Sequence, residues 1–279
     1  MTSPLSLALA WSDTPIYNQH YPLPSLLSVL PSTRNITYSI IIKFINTLAL
    51  ATSVSAVALP ETRTSGGLER RGHRGNSDNW AGVIKKAAGV KTVTGTMGMP
   101  TIKNGAEDSA VSAWVGIDGN TCSTGALLQT GVDILGDGTF SPWVEWYPND
   151  LIKLTDFVVN AGDKIKMTVT ATSTTAGSAK LENLTTGNSS SHDFAKGPAA
   201  LCLAEADWIL EDYDDDNSGK IKPLVNFGTV SFTGASASGG SDGTVGPDKG
   251  EIITLTDSKG KAKTSCSVKT NTVTCSYNA

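Results

Sequence analysis

Histidine is scarce in this chain of 279 residues, which contains only three. His20 lies in an N-terminal leader, His73 follows two arginines, and His192 lies in a polar segment that predicts a surface turn. Metal sites built on two or three histidines are therefore excluded. A triad of nucleophile, histidine and acid would have to use His192, for which a surface role is the stronger prediction.

The sequence also lacks the short motifs by which many enzymes are recognised. It has no G-x-S-x-G elbow, phosphate-binding loop or dinucleotide-binding fingerprint, and no basic stripe. Five of the 22 basic residues and three of the 26 acidic residues precede Gly72, so the remainder carries a formal charge of about −6 at neutral pH. Nucleic acid is therefore not an expected partner. Any hydrolytic chemistry must depend on carboxylates, amides and hydroxyls.

The N-terminal part of the chain predicts export. Residues 44–58 read FINTLALATSVSAVA, an apolar stretch that follows Lys43 and ends in small residues. This pattern predicts a secretory signal peptide that is cleaved after Ala58, and the alternative is a transmembrane helix. Because a signal peptide begins near the start of a protein, residues 1–43 are interpreted as a spurious or disordered N-terminal extension.

A short polar segment separates the predicted signal peptide from the main domain. Residues 59–71 end in the pair Arg70 and Arg71, which predicts a pro-segment that is removed during secretion. A flexible linker is the alternative. Residues 72–279 then form a single domain, which is long enough to bury a substantial core. We expect this domain to be extracellular and monomeric, with no membrane anchor after the signal peptide is removed.

All four cysteines lie in the predicted mature domain. An even number of cysteines in an exported chain predicts two disulfides. Cys266 and Cys275 flank SVKTNTVT, a predicted hairpin across which they can pair, and the pair Cys122 with Cys202 follows by elimination. None of the spacings resembles a zinc site.

Two polar segments predict exposed turns or loops. Asn183 and Asn188 begin N-glycosylation sequons in one of them, so both are predicted to carry glycans. The acidic run from Asp212 to Asp216 is interpreted as a solvated loop. A calcium-binding loop is the alternative, although the spacing matches no established calcium motif.

Short alternating segments dominate the predicted mature domain. In KIKMTVTA (164–171), apolar residues occupy every second position and polar residues the others, which predicts a half-buried strand. Similar segments are VKTVTGTM, SAWVGID, LLQTGVDI, SPWVEWYP, LTDFVVN, SAKLENLT, ADWILEDY, GTVSFTGA, GEIITLTD and KTNTVTCSY. No long stretch has the period of an amphipathic helix. The sequence therefore predicts an all-β domain, either a sandwich or a barrel.

Three of these segments each present a face that combines an amide or a carboxylate with large side chains. Alternation predicts the following faces: Leu127, Gln129, Gly131 and Asp133; Trp143, Glu145 and Tyr147; and Asp207, Ile209, Glu211 and Tyr213. If the three strands are neighbours, these faces line a groove that can hold an extended peptide or a sugar chain. The alternative is that they are ordinary solvated side chains on the outside of a sandwich.

Longer stretches of the sequence resemble the fungal glutamic peptidases, the eqolisin family. The matching segments are NWAG (79–82), SAWVGIDGNTC (112–122), LQTGVD (128–133), VEWYP (144–148), GDKIKMTVTATS (162–173), ENLTTG (182–187), DWILED (207–212) and FGTVSFTGA (227–235). They follow one another over most of the predicted mature domain. The resemblance implies a sandwich of two antiparallel sheets, of the concanavalin or lectin type, and export as a precursor.

The resemblance also implies roles for individual residues. The family's catalytic glutamine lies in L-Q-T-G and corresponds to Gln129, and its catalytic glutamate closes W-I-x-E and corresponds to Glu211. The positions that match its substrate groove are Trp80, Asp133, Trp143, Glu145 and Tyr147. Two departures from the family pattern are present. Asp207 stands where the family usually has glutamate, and the segment between Cys122 and Gln129 is one residue longer, which can shift Gln129.

Together these residues imply a secreted acid endopeptidase that acts on proteins and peptides and needs no metal or organic cofactor. As a carboxylate, Glu211 can take a proton from an attacking water and pass it to the leaving amine. The Gln129 amide can orient that water and donate a hydrogen bond to the developing oxyanion. A glutamate side chain has an ordinary pKa of about 4.3, which suits catalysis in acid.

Two other functions are compatible with the sequence. A glycoside hydrolase on a similar sandwich would use Glu145 and Glu211 as paired carboxylates and Trp143 as a sugar platform, and Gln129 would then be dispensable. A non-catalytic lectin-like module, or an inactive homologue, would leave protein substrates intact.

Overall fold

The computed structural model describes residues 75–215 and 220–278, all of which belong to one unit of the chain, Arg63–Ala279. The predicted extension, signal peptide and pro-segment lie outside these residues. The strands are β1 (Asn76–Ser77), β2 (Trp80–Lys86), β3 (Thr92–Gly98), β4 (Ala110–Asp118), β5 (Leu127–Leu135), β6 (Phe140–Tyr147), β7 (Ile152–Lys153), β8 (Lys164–Ala171), β9 (Gly177–Asn183), β10 (Ser189–Phe194), β11 (Glu205–Glu211), β12 (Asp214–Asp215), β13 (Lys220–Ile221), β14 (Thr229–Gly240), β15 (Gly243–Val245), β16 (Glu251–Leu255), β17 (Thr264–Lys269) and β18 (Thr272–Tyr277). Among the described residues, no helix is long and apolar enough to cross a membrane.

Most of the strands form two sheets. The front sheet has the order β1-β16-β2-β11-β4-β5-β6-β7, and the back sheet has the order β10-β9-β8-β3-β14-β18-β17, with β15 paired to β14. The short strands β12 and β13 pair with each other. Within both sheets the paired strands are antiparallel, except that β1 runs parallel to β16.

A hydrophobic core fills the space between the two sheets. Alternation predicts it well, because the apolar residues of KIKMTVTA are all buried on the inner face of β8. The indole nitrogen of Trp208, in the front sheet, donates to the carbonyl of Thr94 in the back sheet over 2.8 Å. Gly95 leaves room for that ring, since a Cβ there would lie 3.1 Å from Trp208 Cδ1. The predicted sandwich of mostly antiparallel sheets is therefore confirmed.

One predicted strand is wrong. The segment LTDFVVN (154–160) is a turn followed by irregular chain. Its Phe157 and Val159 are buried, as an alternating strand would require, while Val158 is 62% exposed. The N–H of Leu154 still donates to the carbonyl of Pro142 on β6 over 2.9 Å, but the N–H of Phe157 donates back to the carbonyl of Leu154 over 3.1 Å, so the chain after Leu154 turns instead of continuing as a strand.

Besides several strands of two or three residues, two longer strands were not predicted from the sequence. β2 is buried through most of its length and lacks alternation, because it lies in the interior of the front sheet. β10 reads as a polar turn, but it pairs with β9 as the edge strand of the back sheet. His192 lies in β10 and contacts the ring of Phe194, with centroids 4.6 Å apart. His192 is far in sequence from any residue of the predicted site, and it is half-buried at this edge rather than in a turn.

Both predicted disulfides are confirmed. Cys122 and Cys202 join the chain after β4 to the chain before β11. Cys266 and Cys275 face each other across the β17–β18 hairpin. No free cysteine occurs in the described part of the chain.

Two predictions about polar segments need correction. The glycan predicted at Asn183 is incompatible with the fold, because this residue is only 1% exposed and its amide nitrogen donates to Asp163 over 2.8 Å. Asn188 is exposed, so its glycan remains a prediction. Asp212 does not belong to a solvated loop, since it is buried and its carboxylate lies 2.5 Å from Nζ of Lys263.

Candidate active site

The outer face of the front sheet, which points away from the back sheet, carries all of the predicted catalytic and groove residues. Residues that pair across neighbouring strands lie side by side on one face, so the register orders these side chains in rows. The rows are Trp80, Glu211, Ser112 and Asp133; then Ile209, Trp114, Gly131 and Trp143; then Asp207, Gly116, Gln129 and Glu145; and finally Asp118, Leu127 and Tyr147. Of the three strands that would line a groove if they were neighbours, β5 and β6 are adjacent, and β4 separates β11 from β5.

A second hydrophobic cluster lies on this outer face. It consists of Trp80, Ile84, Trp114, Leu127, Trp143, Ile209 and Ile253, with Tyr147 packed against it. Trp80 and Trp114 meet edge to face with centroids 5.0 Å apart. The tryptophans bury one another and exclude water from the polar groups between them. Electrostatic interactions and hydrogen bonds at this face are therefore stronger than they would be in open solvent.

Glu211 ends β11 and receives a hydrogen-bond donor on each carboxylate oxygen. The indole N–H of Trp114, on the adjacent strand β4, donates to Oε2 over 2.8 Å. The side-chain amide of Asn79 donates to Oε1 over 3.2 Å. The carboxylate is half-buried, so it is held in place and still accessible from one side.

Gln129 is almost completely buried and its amide has a defined orientation. Nε2 donates to Oε2 of Glu145, its direct neighbour on β6. This contact points the amide nitrogen toward Glu145 and the amide oxygen away from it. Among the described residues, none provides a hydrogen-bond partner for that oxygen, Oε1. Glu145, predicted to contact substrate, is thus a partner of the predicted catalytic amide.

Trp114 connects the surroundings of Glu211 and Gln129. Its indole nitrogen contacts Glu211, while the far side of the same ring lies over Gly116. A Cβ on Gly116 would lie 3.0 Å from Cζ3 of Trp114 and 3.4 Å from Cβ of Gln129. The ring therefore extends from the carboxylate to the vicinity of the amide, and the absence of a side chain at Gly116 makes this possible.

Gly131 allows two tryptophans to pack over the middle row. A Cβ at this position would lie 2.4 Å from the carbonyl oxygen of Ala113, 2.6 Å from Cβ of Trp114 and 2.9 Å from Cζ2 of Trp143. The first two atoms belong to the backbone or are attached to it, so they cannot rotate away. Glycine is therefore required at this position so that Trp114 and Trp143 can pack against the strand.

Asp133 is held at the same face by two donors. Ser112 Oγ and Trp143 Nε1 each donate to its Oδ1 over 2.8 Å. Burial nevertheless raises the pKa of Asp133 from 3.8 to about 6, and the charge of Glu211 adds to that rise, while Ser112, Trp143 and Lys153 oppose it. Asp133 is therefore a neutral acid over most of the acidic range.

The loops beside Gln129 are held by two buried carboxylates. Asp118 has a φ of 67° and accepts the backbone N–H groups of Leu203 and Ala204, each over 2.8 Å. Burial raises the pKa of Asp118 and these backbone donors oppose the rise. Glu205 accepts from the backbone N–H and the hydroxyl of Thr121 over 2.9 and 2.7 Å. After this loop, Gln129 pairs with Gly116 on β4.

Within residues 75–215 and 220–278, no group of three or more histidine, cysteine, aspartate or glutamate side chains is arranged to hold a metal ion.

Sequence reasoning missed three residues that contact the predicted ones. Trp114 and Ser112 were discoverable, because alternation in SAWVGID places both on the face opposite Val115 and Ile117. Their relevance depends on β4 lying between β5 and β11, which the local pattern does not show. Asn79 opens the matching segment NWAG, but alternation did not point to it, since it precedes a strand that itself lacks alternation.

Comparisons with known proteins identify the family to which the chain is related. The model of the peptidase A4 family matches residues 78–277. The chain is 38% identical to aspergillopepsin-2 of Aspergillus niger over 224 residues, covering 72% of this chain and 78% of that protein. It is 42% identical to scytalidopepsin B of Scytalidium lignicola over 206 residues, covering 71% of this chain and 77% of that protein.

Solved structures give the same result. A scytalido-glutamic peptidase with a peptide-based transition state analog superimposes with a TM-score of 0.67 at 40% identity, covering 72% of this chain and 99% of that chain. The aspergilloglutamic peptidase of Aspergillus niger gives a TM-score of 0.57 at 41% identity, covering 61% of this chain and 99% of that chain.

The fold, the outer-face residues and these matches together define a glutamic-type endopeptidase, which is a hydrolase of peptide bonds. The chain belongs to the peptidase A4 family, whose members are also called eqolisins. The resemblance on which the sequence analysis relied is thereby confirmed.

Proposed function

We propose that this peptidase is secreted and cleaves proteins in acid, with Glu211 as general base and Gln129 as the amide that orients the attacking water. The observation that carries the proposal is the convergence on the Trp114 ring. One end of the ring holds the Glu211 carboxylate at 2.8 Å, and the other lies beside Gln129, whose buried amide oxygen has no partner among the described residues.

A buried acceptor without a partner is unfavourable by about 1–3 kcal/mol. Such a group in a native protein usually has a water or a ligand as its partner. Oε1 of Gln129 can accept one O–H of a water, and a Glu211 oxygen can accept the other. The second N–H of the Gln129 amide, which Glu145 does not use, is available for the substrate carbonyl oxygen.

Hydrolysis then follows in two steps. Glu211 takes a proton from the water while the water oxygen bonds to the scissile carbonyl carbon, and the carbonyl oxygen becomes an oxyanion. The Gln129 N–H donates to that oxyanion. Glu211 then gives the proton to the peptide nitrogen, the C–N bond breaks, and the products are a carboxylic acid and an amine. The base is regenerated and no net proton is consumed within the site.

The acidic optimum is supported by Asp133. With a pKa of about 6, this buried side chain is neutral in acid and negatively charged near neutrality. Its charge would lie at the same face as Glu211 and would repel the anionic tetrahedral intermediate. Activity is therefore expected to fall as Asp133 ionises.

The two alternative functions have little support. A glycoside hydrolase would need Glu145 as a free catalytic carboxylate, but Glu145 accepts the Gln129 amide. A lectin-like module would not account for the family match over residues 78–277. The similarity to a peptidase solved with a peptide-based transition state analog instead favours an extended peptide as the ligand of this face.

The mechanism is tested with Glu211→Gln and Gln129→Ala, assayed on a peptide library in acid with pepstatin present to exclude contaminating aspartic peptidases. We expect Glu211→Gln to lose essentially all activity and Gln129→Ala to lose about 100- to 1000-fold in kcat. Glu251→Gln is the matched control, because Glu251 lies exposed in the same sheet. Peptide cleavage by Glu211→Gln at the wild-type rate would refute the proposal. Cleavage of glucan but not of protein by the wild-type protein would support the glycoside hydrolase.

Secretion is supported by the apolar segment at residues 44–58 and by two disulfides, which are typical of oxidising compartments. Protein recovered from culture medium is expected to be a monomer that begins after Ala58 or after Arg71. An N terminus at Met1, or retention inside the cell, would contradict this.

A further inference from the structure

We propose that Asn79 is a positioning residue for Glu211, and that Ser77 sets the orientation of the Asn79 amide. This inference rests on the proposed role of Glu211 as general base. Asn79 lies in the turn between β1 and β2 and is only 8% exposed. It occupies the position from which a side chain reaches the end of β11, where Glu211 is the last residue.

The two oxygens of the Glu211 carboxylate accept from two different donors. Asn79 Nδ2 donates to Oε1 over 3.2 Å and Trp114 Nε1 donates to Oε2 over 2.8 Å. The terminal torsion of a glutamate is broad, so a single donor would leave the carboxylate free to rock about the bond to Cδ. Two donors on different oxygens define the plane of the carboxylate. Its remaining lone pairs then keep a constant direction.

The shape of the Asn79 amide alone does not set its direction, because its oxygen and nitrogen have similar shapes. Ser77 Oγ accepts the backbone N–H of Trp80 over 2.8 Å and that of Asn79 over 3.2 Å. Its own proton is therefore free to go to Oδ1 of Asn79, which lies 3.1 Å away. Because Oδ1 is used by Ser77, the amide must present Nδ2 to Glu211. A reversed amide would place an oxygen against the carboxylate.

The turn between β1 and β2 is anchored on both sides. The backbone N–H of Asp212, the residue after Glu211, donates to the carbonyl of Asn79 over 2.8 Å. Ser77 pairs with Leu255 on β16, and the N–H of Thr256 donates to the Ser77 carbonyl over 2.7 Å. The turn is thus tied to the strand of the base on one side and to a neighbouring strand on the other. Ser77, Asn79 and Glu211 form one connected unit, so β1 serves catalysis as well as the edge of the sheet.

The direct test compares Asn79→Ala and Asn79→Asp with wild type. Losing a hydrogen bond to a charged group predicts a fall in kcat of about 10- to 100-fold for Asn79→Ala, with KM within about twofold of wild type. Asn79→Asp keeps the size of the side chain and the acceptor for Ser77. Its new carboxyl repels Glu211 when ionised but can donate when protonated, so kcat relative to wild type at the same pH should partly recover as the pH falls toward about 4, near the ordinary pKa of an aspartate.

A merely structural role would not give this recovery, because Asn79→Ala has no group to protonate. Asn226→Ala is the matched control, since Asn226 accepts a turn N–H from Gly228 far along the chain from the site. Wild-type kcat in Asn79→Ala would overturn the inference. The inference would also be overturned if Asn79→Asp had the same kcat as Asn79→Ala at every pH. If Asn79→Ala does not fold, the isosteric Asn79→Asp carries the test.

The role of Ser77 is tested with a double-mutant cycle. Ser77→Ala should lower kcat, because its amide partner can then reverse. In the Asn79→Ala background the same change should lower kcat by less than about twofold, because there is no amide left to orient. A further tenfold loss would show that Ser77 acts separately. Glu211→Gln distinguishes a failure of the proposed mechanism from a failure of this inference. If Glu211→Gln is active, the mechanism fails. If it is inactive while the Asn79 variants match wild type, only the inference about Asn79 fails.

Discussion

Replacing Asp133 by asparagine tests how burial at the outer face ties stability to pH. Asp133 is 8% exposed, and burial raises its pKa from 3.8 to about 6. Both of its hydrogen-bond donors, Ser112 and Trp143, meet a single oxygen, Oδ1. An asparagine keeps that acceptor and the shape of the side chain, so Asp133→Asn removes the ionisation and little else.

The direction of the effect follows from proton binding. Because the pKa of Asp133 is higher in the folded protein than in the unfolded chain, the folded state binds more protons between the two values. The stability associated with the neutral acid is complete below about pH 4 and is lost as pH rises through about 6. A change of about two pKa units corresponds to about 3 kcal/mol in the free energy of unfolding.

Urea denaturation of wild type and Asp133→Asn at about pH 3 and about pH 7 measures how much the ionisation of Asp133 changes the free energy of unfolding. We expect the variant to gain about 3 kcal/mol relative to wild type between the two values. Asp193→Asn, which removes an exposed carboxylate on β10, should show no such gain. A difference between wild type and Asp133→Asn that is the same at both pH values would refute the reasoning. Asp133→Asn should also retain more activity than wild type above about pH 6, relative to each protein's maximum.

Three further outcomes are expected. Trp114→Phe removes an N–H from the general base but keeps most of the ring, so steady-state kinetics should show a kcat lower by about 10- to 100-fold with little change in KM; an unchanged kcat would contradict this. Gly131→Ala should lower the free energy of unfolding by about 1–3 kcal/mol through overpacking. Gly98→Ala should lower it far less, because nothing lies within 4 Å of a Cβ there. Equal losses for the two variants in urea denaturation would contradict the packing argument. Removing the Cys122–Cys202 disulfide, whose cysteines are 80 residues apart, should lower the free energy of unfolding by about 4.5 kcal/mol in the chain-entropy model, against about 2.6 kcal/mol for the C-terminal disulfide. The opposite order in thermal or urea unfolding would contradict this prediction.

Strand positions were predictable where one face of a strand is buried and the other is not. β8 alternates strictly and was found from its pattern alone. β2 is buried on both faces, so its sequence shows no alternation. The segment 154–160 shows the opposite failure, since Phe157 and Val159 are spaced like strand residues but belong to irregular chain. Periodicity reports burial, and burial does not require a sheet partner.

Glycan and charge predictions failed for a related reason. A sequon at Asn183 is a local pattern, but the amide that would carry the sugar is buried against Asp163. Asp212 belongs to an acidic run, yet it is paired with Lys263, 51 residues later. Neither partner can be identified from neighbouring sequence, because each is brought in by a different strand or loop.

The sequence by itself determined the class of fold, the pairing of the cysteines and the membership of the outer face. These depend on a two-residue period, an even cysteine count and motifs such as L-Q-T-G, all of which are local. Only the tertiary structure decided the order of strands and hence the contacts: Trp114 between Gln129 and Glu211, Glu145 on the Gln129 amide, and Asn79 on the base. Those contacts depend on register between strands that are distant in sequence, and register is a property of the packed sheet that no single strand carries.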